Sequence, residues 1–202
     1  MKAGELKKIA QAYAAYLPGP WLRVGNEFMR REGDWVQIVA FNASRFSEQY
    51  VPRSCMEFLK MPGMPTGGFL VQELQHPNGT QRWVKTTDAP ANVFEQMAEQ
   101  FKPSLRNSLN ISEIKSLLDA TMDYWPHAYA LCVMACEAGN ADDATRYFNA
   151  FVLATSDKPY PWAETRKHEL TECLRQVDSP EALKMRLESV SDDKLRALKL
   201  KQ

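Results

Sequence analysis

Trp35-Val36-Gln37-Ile38-Val39-Ala40-Phe41 decides how the first part of the chain folds. Aromatic and β-branched residues dominate this run, so it reads as a buried strand. Working back from it, Glu32-Gly33-Asp34 supplies a turn, and residues 27–31 and 21–24 carry strand character. Working forward, a short strand is predicted over 54–59. Residues 69–74 and 81–84 then flank His76-Pro77-Asn78-Gly79, whose turn-forming residues predict a β-hairpin. Residues 61–68 show no periodicity and read as a loop. Trp21, Phe28, Ile38, Val39 and Phe41 form the predicted sheet core.

Helical spacing brackets the strands. Leu6, Ile9, Tyr13 and Leu17 share one stripe, predicting a helix over 4–17 that Pro18-Gly19-Pro20 stops. Beyond Asp88, Val93, Phe94, Met97 and Phe101 define another, with Asp88 as its cap, Pro90 in its first turn and Pro103 after its end. Ser112 caps the next helix. Further helices are predicted over 126–138, 142–154, 162–176 and 180–190, and Ser191 opens a last short one. Strands kept apart from helices indicate an α+β fold: an N-terminal helix, an antiparallel sheet, then a C-terminal helical bundle. The predicted boundary falls at 86–88, giving subdomains 1–87 and 88–202. No Gly/Ser linker marks it, so the halves are expected to pack together.

With 202 residues the chain can bury a real core as one large domain or two small ones. A net charge of zero argues against a surface attracted everywhere to nucleic acid or anionic lipid. The charge is uneven: Lys and Arg outnumber Asp and Glu by 11 to 8 through Asp88, and fall behind by 14 to 17 after it. Cys55, Cys132, Cys136 and Cys173 could pair only in an oxidising compartment. The start of the chain has no apolar leader and no run reaches membrane-spanning length, so a cytoplasmic protein with reduced thiols is expected.

Chemistry-bearing patterns are sparse. Cys132 and Cys136 share a helix face near His127, yet no second ligand pair accompanies them. They read as buried thiols, and no metal or cofactor is expected. Cys55 with His76 is the one nucleophile–base pairing to propose in the sheet half, but an apolar strand around Cys55 keeps its thiol protonated. His168 reads as solvated and His127 as a helix N-terminal residue. Asp142-Asp143 and Asp192-Asp193 read as first-turn charges favoured by the helix dipole. No phosphate-binding glycine loop occurs, and no catalytic residue is assigned. What remains is arginine interleaved with aromatic residues: Arg23, Arg30, Arg31, Arg45, Arg53 and Arg82 among Trp21, Phe28, Trp35, Phe41, Phe46 and Trp83. Arg30, Arg45, Arg82, Trp35 and Trp83 are the predicted binding residues. Arginine and tryptophan suit a protein interface. They would also stack on single-stranded nucleic acid, and a plain sheet edge of buried rings and exposed arginines accounts for the same pattern. An enzyme whose site is assembled from distant residues is a third reading.

A shared pattern adds to this. Trp21, Gly25, Phe28, Arg30, Gly33-Asp34, residues 36–39, Phe41 and Ser44-Arg45 follow a helix in an order that resembles the bacterial domain-of-unknown-function family 4304, over about residues 5–60. The resemblance implies an N-terminal helix before a sheet with a Phe-x-Arg strand and a Gly-Asp turn. Pro20, between Gly19 and Trp21, departs from it, and the family supplies no functional residues to carry over. It implies a small bacterial cytosolic interaction protein, such as an immunity or defence-associated adaptor. Leu131-Cys132, Gly139-Asn140, Ala144 and Phe148 resemble a single tetratricopeptide-type helical hairpin near 128–155. Ala128 and Ser156 depart from that pattern, where a large aromatic and a proline are usual.

Overall fold

The computed structural model describes residues 1–62, 68–102, 104–106, 108–156 and 161–200. Most of the loop expected over 61–68, together with Pro103, lies outside the described residues. The fold is α+β, and the chain divides into two compact units.

The first unit takes Met1–Glu57 and the described part of Pro65–Asn110. Helix α1 (Ala3–Tyr13) precedes β1 (Leu22–Val24), β2 (Glu27–Glu32), β3 (Trp35–Ala43), β4 (Gln49–Phe58), β5 (Phe69–Glu73) and β6 (Val84–Lys85), and α2 (Pro90–Gln100) follows. The sheet is antiparallel in order β1-β2-β3-β4-β5, and β6 pairs with β4 beyond the end of β5. Gly25 and Gly33 hold positive φ values of 67° and 59° at the two tight turns, a region open to glycine at no steric cost. Alternation then sorts the side chains. Phe28 pairs with Val39 on one face and Met29 with Ile38 on the other, and all four are buried. Phe28, Val39, Phe41, Tyr50, Leu74 and Val84 meet Ala10, Tyr13 and Leu17 from the α1 segment and Val93, Met97 and Phe101 from the α2 segment. Trp21 stays half-buried at the margin of this core, its indole N–H donating to the Pro18 carbonyl at 2.9 Å.

That shared core moves the expected boundary from 86–88 to Asn110, because the apolar stripe of α2 is buried on sheet residues. Other departures are local. The strand expected over 54–59 begins at Gln49, because its outer half pairs with β6 through Gln49–Lys85 and Tyr50–Val84. Asp88 does not cap α2; its carboxylate accepts the Lys85 N–H at 3.1 Å, and Pro90 opens the helix after Ala89. The predicted hairpin turn closes through His76 N–H to Thr80 C=O at 2.8 Å and a Gln75–Gln81 bridge.

The second unit takes the described part of Phe58–Met64 and Ile111–Lys201. It holds α3 (Ile111–Asp119), α4 (Trp125–Glu137), α5 (Ala141–Thr155), α6 (Pro161–Leu174) and α7 (Pro180–Ala197). Two lysines tie the Phe58 segment to the helices. The Lys60 ammonium meets the Glu137 carboxylate at 2.6 Å, and Lys194 donates to the Phe58 and Met61 carbonyls at 2.9 Å each. Helix α4 is buried almost all round, as a central helix must be. It turns into α5 through Gly139 (φ 67°) and Asn140, whose side chain accepts the Asp143 N–H at 3.0 Å. Small residues let the two helices approach, and the Cys132 thiol reaches the Ala144 carbonyl at 3.4 Å. The break expected at Ser191 is absent. Ser191 is buried inside α7, on an inner stripe continued by Leu187, Lys194 and Leu195, so Asp192 and Asp193 lie mid-helix instead of in a first turn.

Candidate functional site

The predicted arginine and aromatic set does not form one surface. Arg30 is only 7% exposed and serves the interior of the first unit. Its guanidinium donates to Gln37 Oε1 at 2.7 Å, to the Pro18 carbonyl at 2.6 Å and to the Arg106 carbonyl, and lies 4.9 Å from the Trp21 ring centre. Burial pulls its pKa below the ordinary guanidinium value, while Glu32 acts the other way. Trp35 is 1% exposed and packs edge-on against Phe69 with centroids 5.4 Å apart. Neither residue can meet a partner, because register turns both toward packed faces. The pattern around them was a structural one: Arg30 pairs with Gln37 across two strands, and its polar fork gathers three chain segments.

The rest is distributed by the same alternation. Arg82 is half-buried, in the electrostatic neighbourhood of Asp88 and the buried Tyr13–Tyr50 hydroxyl pair, 2.7 Å apart. Trp83 points the other way and is 39% exposed. Arg45 is exposed at the tip of the β3–β4 hairpin. Phe46 beside it is 96% exposed. The tip is shaped by Ser44, whose hydroxyl accepts the Phe46 N–H at 3.2 Å and whose N–H donates to the Gln49 carbonyl at 2.8 Å. Gln49 in turn pairs with Lys85, so Lys85 and the tip share one end of the sheet, and Trp83 immediately precedes β6. Phe46 stood in the arginine and aromatic pattern of the sequence but not among the predicted binding residues. The signal was available, since Phe46 is an apolar residue inside the polar run Ser44-Arg45-Phe46-Ser47-Glu48, where no strand alternation would bury it.

Cys55 and His76 are not brought together as a pair. His76 is exposed on its hairpin turn, and Cys55 is buried on a sheet face with Arg53, Glu57 and Glu27 as its electrostatic neighbours. Burial pushes the Cys55 thiol up to about 12, the reverse of what a nucleophile needs. Burial also raises Glu27, with Arg53 opposing. In the second unit burial pushes Cys173 up to about 12, although the Arg186 guanidinium donates to its sulfur at 3.2 Å. All four cysteines are free and buried. Among the described residues, no group of three or more His, Cys, Asp or Glu side chains is placed to hold a metal ion. None of the described helices is long and apolar enough to cross a membrane.

His127 occupies the first turn of α4, buried, with Nδ1 2.8 Å from the Thr121 hydroxyl. Burial lowers its pKa, while the Thr121 backbone and Asp123 raise it. The unfolded chain therefore takes up this proton first, near pH 6.5. The stabilising contribution of neutral His127 is complete above that pH and is lost as pH falls through the lower, folded value. For one proton the slope is at most about 1.4 kcal/mol per pH unit. His127→Gln should flatten this part of the stability profile, as read from urea midpoints between about pH 7 and pH 5.

No family model, curated protein or solved structure matches the chain.

Proposed function

We propose that the chain is a non-catalytic protein-interaction module whose contact surface is the end of the sheet formed by Arg45, Phe46 and Trp83. One observation carries this reading: Phe46, on a formed hairpin turn, is left 96% exposed next to an exposed arginine. A phenyl ring in water forgoes burial free energy of roughly 1.5–3 kcal/mol, which a partner's pocket would recover. Arginine and aromatic anchors dominate interface energetics, and the planar guanidinium holds a carboxylate bidentately. An acidic protein partner suits this end, where Arg45 and Lys85 outnumber the exposed Glu48 of the tip. The Cys55 and Cys173 thiols, held protonated by burial, offer no nucleophile. They also suit the cytosol, where thiols stay reduced. On the residue pattern that 5–60 shares with domain-of-unknown-function family 4304, the setting is a bacterial adaptor of the immunity or defence type.

Affinity capture from native host lysate tests the reading. Arg45→Glu and Phe46→Ser should each weaken capture of the same protein by about 30-fold or more, equivalent to about 2 kcal/mol. Both substitutions are exposed, so melting temperature should stay close to wild type. Capture undiminished in both variants would refute the surface. Recovery of single-stranded nucleic acid alone, with affinity falling steeply as salt rises, would favour the nucleic-acid reading.

A further inference from the structure

We infer that the outer edge of β5 accepts an extended peptide from a partner protein as an added strand, with a cationic side chain of that peptide beside Glu73. This site is separate from the hairpin tip and does not depend on it. The direction of the peptide planes decides what this edge offers. The Leu74 N–H donates inward to the Pro52 carbonyl of β4 at 3.0 Å. Backbone groups of successive strand residues face opposite sides. The N–H and C=O of Glu73 and the C=O of Val71 therefore face outward, where the sheet order ends among the described residues. Gln75 faces outward too, and its groups are already taken. Its N–H donates to Gln100 Oε1 at 2.9 Å, and Gln100 Nε2 donates to its carbonyl at 3.0 Å. The amide at the end of α2 thus stands where the next strand's backbone would, and shows that this edge has the geometry for such pairing.

One step along, no such cap stands at Glu73 among the described residues. Its outward groups border an open concavity of about 470 Å³ lined by Val71, Gln72, Glu73, Gln75, His76 and Gln100. Gln72 Nε2 donates to the Gln100 carbonyl at 3.0 Å, which fixes the far wall. Leu70, at φ 45°, and the register shift between Ser54 and Met56 limit the pairable stretch to a few residues. A short peptide is therefore the fitting occupant. Charge selects its chemistry. Glu73 is the one carboxylate of the lining, its Oε2 accepting Gln81 Nε2 at 2.5 Å, and the remaining lining is Val71, amides and His76. A strand residue opposite Glu73 is favoured as Lys or Arg, and the residue two along, beside the half-exposed Val71, as apolar.

The probe is the blocked peptide acetyl-Thr-Lys-Thr-Val-Thr-amide, titrated into the full chain and followed by backbone amide NMR. Saturable shifts confined to 71–75 and 100 are expected. A tenfold or greater loss is expected on N-methylating the lysine residue of the peptide, and likewise with Glu73→Lys, which changes a half-buried edge side chain and leaves the inward backbone ladder intact. No shifts at millimolar peptide, shifts elsewhere, or equal binding of the N-methylated peptide would overturn the inference. So would edge shifts that grow with protein concentration alone, since those would assign the edge to a second copy of the chain.

Discussion

Phe41→Ala is expected to destabilise the first unit by about 3–5 kcal/mol in denaturant unfolding, the transfer of a phenyl ring to water plus the cavity left behind. The Phe41 ring is fully buried, 4.7 Å from Tyr13, 6.1 Å from Tyr50 and 6.4 Å from Phe28 between centroids. Strand, α1 and hairpin thus converge on this one side chain. Relaxation into the hole is limited, because the Tyr13 and Tyr50 hydroxyls are hydrogen-bonded to each other and resist moving apart. Phe41→Leu fills most of the volume and should recover a large part of the loss. A cost below about 1 kcal/mol for Phe41→Ala would mean the register is wrong, since a one-residue slip moves the ring to the other face.

Arg30→Met is expected to cost about 3 kcal/mol or more, although it places an apolar side chain in a buried position. Gln37 Oε1 would lose its donor, and the Pro18 and Arg106 carbonyls would each lose a charged one, keeping only the Trp21 indole N–H at 2.9 Å and Gln37 Nε2 at 3.4 Å. A buried acceptor left unpaired costs about 1–3 kcal/mol, and each lost hydrogen bond to a charged donor about 1.5–3 kcal/mol, so the sum stays large even with the carbonyls partly satisfied. Arg30→Lys should stay well short of wild type, because one ammonium cannot reproduce a planar fork aimed at three segments. Circular dichroism melts of the two variants decide the matter. Melting temperatures equal to wild type would return Arg30 to the surface role that the sequence pattern suggested.

The contrast between Arg30 and Arg45 shows how far a sequence carries. Trp35 to Phe41 was legible as a buried strand because its composition leaves no polar face. The turn at Gly33-Asp34, the α1 stripe as far as Tyr13 and the turn near Asn78-Gly79 were legible because local chemistry sets them, whereas the helix stops four residues short of Leu17 and the strand after the turn shortens to Val84–Lys85 and pairs with β4. Whether an arginine on a strand is solvated or buried depends on what covers that face. Gln37 opposite Arg30, and carbonyls from Pro18 and Arg106, are contacts that only the tertiary fold creates. The boundary moved for the same reason, since the stripe of α2 announces burial without naming the surface that receives it. Ser191 shows the converse case, where a residue suited to capping is carried through a helix because Leu187 and Leu195 keep the inner stripe continuous. The open edge beside Glu73 could not be read either, because strand order and the capping of Gln75 by Gln100 arise from pairings distant in sequence.

Site-specific photo-crosslinking from position 46 shows whether the hairpin tip meets a partner. A photoreactive phenylalanine analogue in place of Phe46 keeps the ring and probes what meets it in native host cells. Leu153, 76% exposed on α5, provides the control position. One dominant protein adduct is expected from position 46, lost when Arg45→Glu is added and absent from position 153. No adduct from position 46, an adduct equally strong from position 153, or one made only of nucleic acid would contradict the proposed surface.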